Sequence, residues 1–336
     1  MNYPKVSIVT PSFNQGKFLE QTILSVIDQK YPNLEYIIVD GGSTDNSVEI
    51  IKKYEKHLSY WVSEKDKGQS DAINKGLRKV TGDLFNWLNS DDLLEDGALY
   101  KIAQAYTENP DKKLFVFGLS YFDGKKKTLR KWKITPADGI FFYCDPTIAQ
   151  PSMFYTWEAI KSIGMINSNL HYAMDYEWLI KFLFNFGEKA IFQSDFPVSV
   201  FRLHADAKTS QGEDNFVNDI ANILFLLAKA SGLEKYAALL SERYKMHPLY
   251  SCEISKDNID PVKVERMLVY FLLQHSHLVF TRKQYLFAKK ILSTISFSPF
   301  SLSKNEIHWL WELKKNTNAS SWLTFRVKRK LRHIFK

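Results

Sequence analysis

The chain has 336 residues, with 45 lysines and arginines against 37 aspartates and glutamates, for a formal net charge of +8. That length and an apolar share of 45% suffice for one large domain or two ordinary ones, which excludes a disordered tail protein or a small disulfide scaffold. Two cysteines, Cys144 and Cys252, cannot build a disulfide framework, no apolar leader precedes the first strand pattern, and no run approaches the roughly 20 apolar residues of a bilayer span. A cytoplasmic protein is expected, with any membrane contact peripheral. The basic excess favours an anionic partner and is uneven: residues 124–133 and 318–336 each hold six lysines and arginines without an acid.

In chain order, the apolar run Val6 to Val9 predicts a strand, and Phe18, Leu19, Ile23, Leu24 and Ile27 on one face predict a helix after it. Strand signals recur at 34–39, 60–62 and 84–88, with helical patterns between them, so the first 120 residues read as a parallel α/β sheet. Open parallel sheets bind ligands outside the carboxyl ends of their strands. Polar residues gather at those ends here: Ser12 to Asn14, Asp40, Asp66 and Asp91-Asp92. Strand-like runs at 114–121 and 191–201 then flank a helical pattern at 175–184. Beyond about residue 206 the chain reads as helical, with candidates at 217–230, 236–244, 261–275, 284–292 and 304–315.

Three short stretches carry chemistry. Asn89-Ser90-Asp91-Asp92 sets two carboxylates after a buried strand, where their repulsion needs a cation such as a hard divalent ion chelated with phosphates; alone, the pair serves equally well as a helix cap. Asp40 precedes Gly41 and Gly42, which let the backbone turn and present the carboxylate to a base or ribose, although a turn with a cap explains it as well. The mixed-charge loop Asp66-Lys67-Gly68 opens a helix whose free N–H groups suit a phosphate.

Together and in this order, these stretches resemble the inverting nucleotide-sugar glycosyltransferases of family 2 over about residues 4–210. The match rests on Val6-Ser7-Ile8-Val9-Thr10-Pro11-Ser12-Phe13-Asn14, on Ile38-Val39-Asp40-Gly41-Gly42-Ser43-Thr44-Asp45, on Asp66 to Gly76 and on the Asn-Ser-Asp-Asp run. The resemblance implies a GT-A fold, an α/β mixed sheet flanked by helices, with a mostly helical C-terminal extension. It divides the chain into a glycosyltransferase domain at 1–206, with a nucleotide half to about 120 and an acceptor half at 121–206, and a helical region at 207–336.

By that resemblance Pro11, Ser12 and Asn14 line the base pocket, Asp40 and Asp66 sit near base and ribose, and Lys67, Gly68 and Asn74 belong to the segment that closes over the nucleotide. Asn89 and Ser90 complete the donor site. The run takes the place of the family's metal-binding Asp-x-Asp motif, but Asn89 replaces its first acid and contributes no charge. Asp91 is therefore the expected ligand of Mn2+ or Mg2+, assisted by Asp92. His204 is a further candidate for metal or phosphate, beside Arg202 for added charge. Gln150 and Pro151 shape the acceptor side. Inversion needs a base for the acceptor hydroxyl; Tyr172 to Lys181 resembles the family's acidic motif, which makes Asp175 the base and Glu177, on another helix face, the runner-up.

The expected reaction moves one sugar from a nucleotide diphosphate-sugar, UDP-sugar favoured, to a hydroxyl of a glycan, lipid-linked by analogy with bacterial capsule, O-antigen or exopolysaccharide assembly. Residues 322–336 interleave aromatic and aliphatic side chains with lysine and arginine, which suits an anionic membrane surface on the inner face of the cell membrane better than nucleic acid; docking on the protein's own domain is the plainer alternative. Two competing classes remain. A sugar-1-phosphate nucleotidyltransferase needs a basic glycine-rich loop after the first strand, yet no basic residue precedes Lys17 there. A non-catalytic sugar-nucleotide-binding or scaffolding protein is suggested by Asn89.

Overall fold

The computed structural model describes residues 3–130, 141–144, 150–205, 207–208, 212–251, 253–276, 285–295, 302 and 304–317. They form two compact units, Met1–Gly139 with Pro146–Ile220, and Ile140–Asp145 with Ala221–Lys336.

The first unit is built on β1 (Val6–Ser12), β2 (Leu34–Asp40), β3 (Tyr60–Ser63) and β4 (Leu84–Trp87), which are parallel and lie side by side in the order β3-β2-β1-β4. Every residue of β1 is buried, as expected of a strand covered on both faces. α1 (Gly16–Ile27) lays Leu19, Ile23 and Val26 into that core, each fully buried and each worth about 1.5–3 kcal/mol. α2 (Ser47–Lys53), α3 (Gln69–Leu77) and α4 (Ala98–Glu108) supply the remaining connections. α3 rests directly on the sheet at Gly76, where a Cβ would stand 2.4 Å from a methyl of Val9.

Past β4 the sheet becomes mixed. The two-residue β5 (Leu93–Leu94), β6 (Leu114–Phe122), β7 (Lys127–Arg130), β8 (Met153–Thr156) and β9 (Ile191–Arg202) extend it in the order β4-β8-β6-β9-β5, with β7 paired to β6. β8 is antiparallel to both β4 and β6, whereas β6 and β9 are parallel. Residues 153–156, read from sequence only as part of an acceptor-side segment, are therefore a buried central strand. β6 and β7 make the hairpin of the basic segment around 125, its turn held by Asp123 Oδ1 accepting from the backbone of Lys125 and Lys126. α5 here denotes Trp157–Ile163 and α6 Met174–Phe186.

The second unit is helical, with α7 (Glu213–Ala230, whose first turns belong to the first unit), α8 (Glu234–Arg243), α9 (Pro261–Gln274), α10 (Tyr285–Thr294) and α11 (Lys304–Thr317). These bounds lie within a few residues of the helices read from periodicity. Arg266 and Glu306 form a buried bidentate pair joining α9 to α11. Among the described residues no helix is long and apolar enough to cross a membrane. The basic tail 322–336 lies outside the described residues.

Candidate active site

The candidate site lies at the carboxyl ends of β1 to β4. In register, Ser12, Asp40 and Ser63 form one row across the last rungs of β1, β2 and β3. Asp40 is fully buried, and its carboxylate accepts from the backbone of Gly42 (3.1 Å) and Ser43 (2.9 Å) and from the hydroxyls of Ser43 (2.5 Å) and Ser63 (2.7 Å). It organises the turn that carries the site instead of projecting from it. Asp66 lies against that turn: a Cβ on Gly41 would meet its Oδ2 at 2.6 Å, so glycine is what allows the approach. Its Oδ1 accepts from the backbone of Gly68 (2.8 Å), where φ is +110°.

The β1 loop closes on the same turn. Asn14, at φ 52°, accepts from the backbone of Thr44 (2.9 Å) and receives Ser43 Oγ on its own N–H (2.8 Å). Phe13 beside it is 59% exposed, Pro11 is buried, and the buried Ser12 Oγ has no hydrogen-bond partner among the described residues. Lys67 is exposed, with its backbone N–H on Asp71 Oδ2 (3.1 Å). Asn74 is buried and grips the segment ahead of α6, exchanging hydrogen bonds with Ile166 N (3.0 Å) and O (2.7 Å). Its side chain therefore braces the acceptor half.

The Asn-Ser-Asp-Asp run follows β4. Thr22 Oγ1 donates to the carbonyls of Ser90 and Asp92 (both 2.8 Å), which fixes the buried Ser90 from below. Asp92 is only 1% exposed; its oxygens accept from Arg202 N (3.2 Å) and Asn89 Nδ2 (3.3 Å), and burial together with the charge of Asp91 holds its carboxyl well above the usual range. Asp91 keeps some exposure, and its Oδ2 lies 3.1 Å from His204 Nε2, whose ring packs on Phe18 at 4.5 Å. Asp91 and His204 thus converge while Asp92 faces inward. Arg202, expected to add charge near the diphosphate, is buried instead as a bracket: its guanidinium donates to the carbonyls of Asp91 and Phe18 and to Gln21 and Thr22.

A divalent ion fits this pair only as a partial cage, since no group of three His, Cys, Asp or Glu side chains converges among the described residues. Carboxylate and imidazole are compatible donors, and the other positions would fall to diphosphate oxygens and water.

Asp175 stands at the start of α6. Burial pushes its carboxyl up to about 6, against the opposing pull of the Tyr176 N–H (2.8 Å) and the charge of Lys208. Glu177 lies on the other face, fully buried and ion-paired with Lys181 at 3.1 Å. One relay spans the crevice: Lys208 donates to Gln69 Oε1 (3.2 Å), and Gln69 donates to Asn89 Oδ1 (2.7 Å). Gln150 and Pro151 are buried; Gln150 Nε2 donates to Asn86 Oδ1 (2.8 Å) and the Trp87 carbonyl (2.7 Å), and Asn86 returns a bond to the Pro151 carbonyl (2.9 Å). They position β4 from beneath and line no open surface. Sequence reading missed Gln69, Thr22 and Asp219, each of which reads as an ordinary polar position on a helix face.

A mixed sheet with its polar loops at the carboxyl ends of four parallel strands, and an acid on a helix facing them, defines a GT-A-like nucleotide-sugar fold. Residues 7–163 match the model of glycosyl transferase family 2, and through this part the chain belongs to that family. The putative teichuronic acid biosynthesis glycosyltransferase TuaG of Bacillus subtilis is 40% identical over 103 residues, 29% of this chain and 40% of that protein. Aligned segments cover 42% to 68% of other curated relatives. Among solved structures, S. aureus TarS 1-349 in complex with UDP superposes with a TM-score of 0.60 at 15% identity, covering 97% of this chain and 91% of that one. The mannosyltransferase PcManGT from Pyrobaculum calidifontis in complex with GDP-Man and Mn2+ gives 0.51 at 16% identity, covering 98% and 87%.

Proposed function

We propose that the protein is an inverting glycosyltransferase that moves a sugar from a nucleoside diphosphate-sugar, UDP-sugar favoured, to a hydroxyl of a cell-surface glycan. The observation that carries this reading is Asp175, a carboxyl held near pKa 6 and linked through Lys208 and Gln69 to the strand-end motif of the donor side. The base and ribose lie over the β1 and β2 ends, near Asn14 and Asp66, and Lys67 and the N–H groups opening α3 face the phosphates. Asp91 and His204 hold the divalent ion, Mn2+ or Mg2+, which when bound neutralises charge on the leaving diphosphate. Asp175 takes the acceptor proton as the hydroxyl attacks the anomeric carbon, and the nucleoside diphosphate departs from the opposite face. Asp40, Arg202, Asn86 and Gln150 keep these groups in place.

A lipid-linked acceptor at the inner face of the membrane follows from the basic surfaces. The exposed side of α11 presents Ile307 and Trp311 with Lys304, Lys314 and Lys315, a pattern suited to an anionic interface. The relationship to a teichuronic acid glycosyltransferase supports a surface polysaccharide as the product. The test is a donor panel: purified protein with single nucleotide sugars and Mn2+ or Mg2+ should release nucleoside diphosphate slowly without acceptor. Absence of both release and donor-induced thermal shift refutes the enzyme, and a thermal shift without release points to a non-catalytic sugar-nucleotide-binding protein.

A further inference from the structure

The base-bearing helix α6 has an uncapped start. Its N-cap is Ala173, which has no side chain to offer the free N–H groups of the first turn. A carboxylate from elsewhere supplies what is missing: Asp219 Oδ2, on the opening turns of α7, accepts from the backbone N–H groups of His171 (3.2 Å), Tyr172 (2.8 Å) and Ala173 (3.3 Å). Three successive amides on one oxygen fold this stretch around a single point, and a charged acceptor makes each bond stronger than a neutral one would be.

The same stretch is gripped from two sides. From α3, Asn74 holds Ile166, and Ser70 Oγ donates to the Leu170 carbonyl (3.1 Å). From the α7 side, the Tyr172 ring is enclosed by Lys208 Nζ at 5.1 Å, by Phe216 edge-on at 5.2 Å, and by Gly212, where a Cβ would come within 2.8 Å of the ring. Tyr172 lies three residues before Asp175. Lys208, which packs on Tyr172, also reaches Gln69 and through it Asn89 on the donor side.

We propose that Asp219 is a positioning residue for the base: its carboxylate fixes residues 171–173, and thereby sets where Asp175 stands relative to the donor. It touches neither substrate nor reacting atoms. The α3 contacts fix one end of the segment, Asp219 the other, and without Asp219 the first turn of α6 is free to unwind and carry Asp175 out of line. The inference rests on Asp175 being the base, and its test is chosen to separate the two ideas.

Asp219→Ala and Asp219→Asn are compared in the full chain. Asp219→Ala should lower kcat for transfer by about 10- to 100-fold, the scale of a misplacement of about 1 Å, while the donor KM and donor affinity stay within about twofold. Asp219→Asn keeps an amide oxygen in place and should recover most of that loss. Amide hydrogen exchange reads the latch without any donor: Asp219→Ala should speed exchange at 171–178 and leave β1 to β4 unchanged. Unchanged exchange at 171–178 overturns the proposal, as does a kcat within twofold of native, or a loss of donor affinity in step with kcat that Asp219→Asn does not relieve. If Asp175→Asn transfers normally while the exchange result holds, Asp175 is not the base and the latch positions another group.

Discussion

The two halves of the sheet use the same polar residue types in opposite ways. At the ends of β1 to β4 each strand stops at a turn, so Asn14, Asp66, Lys67 and Asp91 keep contact with solvent while Asp40 secures the turn behind them. In the mixed half, Asn86, Gln150, Ser152 and Ser199 lie inside strands or against them, and each spends its hydrogen bonds on a buried neighbour. The contrast teaches that a polar residue in a motif becomes a ligand contact or a brace according to whether its strand has ended. A parallel strand must leave the sheet to cross over, which opens the crevice, whereas antiparallel β8 fills its slot between β4 and β6 and leaves no opening.

The sharpest break of this comparison is Asp175→Asn. It should cut transfer by about 1,000-fold or more, as loss of a general base does, with donor affinity unchanged in calorimetry; transfer near the native rate removes Asp175 from its role. Next, Gln150→Leu should leave donor affinity alone yet lower stability by about 1–3 kcal/mol in urea unfolding, because Asn86 and the Trp87 carbonyl lose a buried partner. A selective loss of acceptor affinity without loss of stability would return Gln150 to the acceptor surface.

Gly41→Ala tests the other half. Its Cβ would displace the Asp66 carboxylate, and donor binding should weaken by about tenfold, roughly 1.4 kcal/mol. The smallest effect is on pH and stability. Asp175 is raised in the folded state, so its ionised form costs stability that is absent while the group is protonated and grows as pH rises through about 6. Asp175→Asn should therefore melt a few degrees above the native chain at pH 8, and the gap should close as pH falls from 6 towards 4. Native transfer should decline over the same range, since protonation removes the base. A melting difference independent of pH rejects this assignment.

Much of the fold was legible because its signals are local. The apolar runs of β1, β2 and β4, the face of α1, and the five helices of the carboxyl-terminal part all emerge from periodicity. β8 was not legible: four residues at the end of Gln150-Pro151-Ser152-Met153-Phe154-Tyr155-Thr156 have no alternation to announce a strand, and only the slot between β4 and β6 recruits them. Within the site, Asp91 and Asp175 could be picked out by their company in the sequence. Arg202 could not be separated from a phosphate ligand, because an arginine two residues before a histidine looks the same whether its guanidinium faces a ligand or the carbonyls beneath Asp91.

By itself the sequence determined which residue types stand at the strand ends, in what order, and hence the family and the kind of chemistry on offer. Spacing along one chain carries that information because a strand end and the turn after it are contiguous. The tertiary structure alone decided which carboxylates are open. Asp92 turns onto Arg202, Glu177 onto Lys181, and Asp219 reaches 46 to 48 residues back to close the first turn of α6. Whether a charge is solvated, paired or enclosed is set by whatever packs against it, and those neighbours are distant in the sequence.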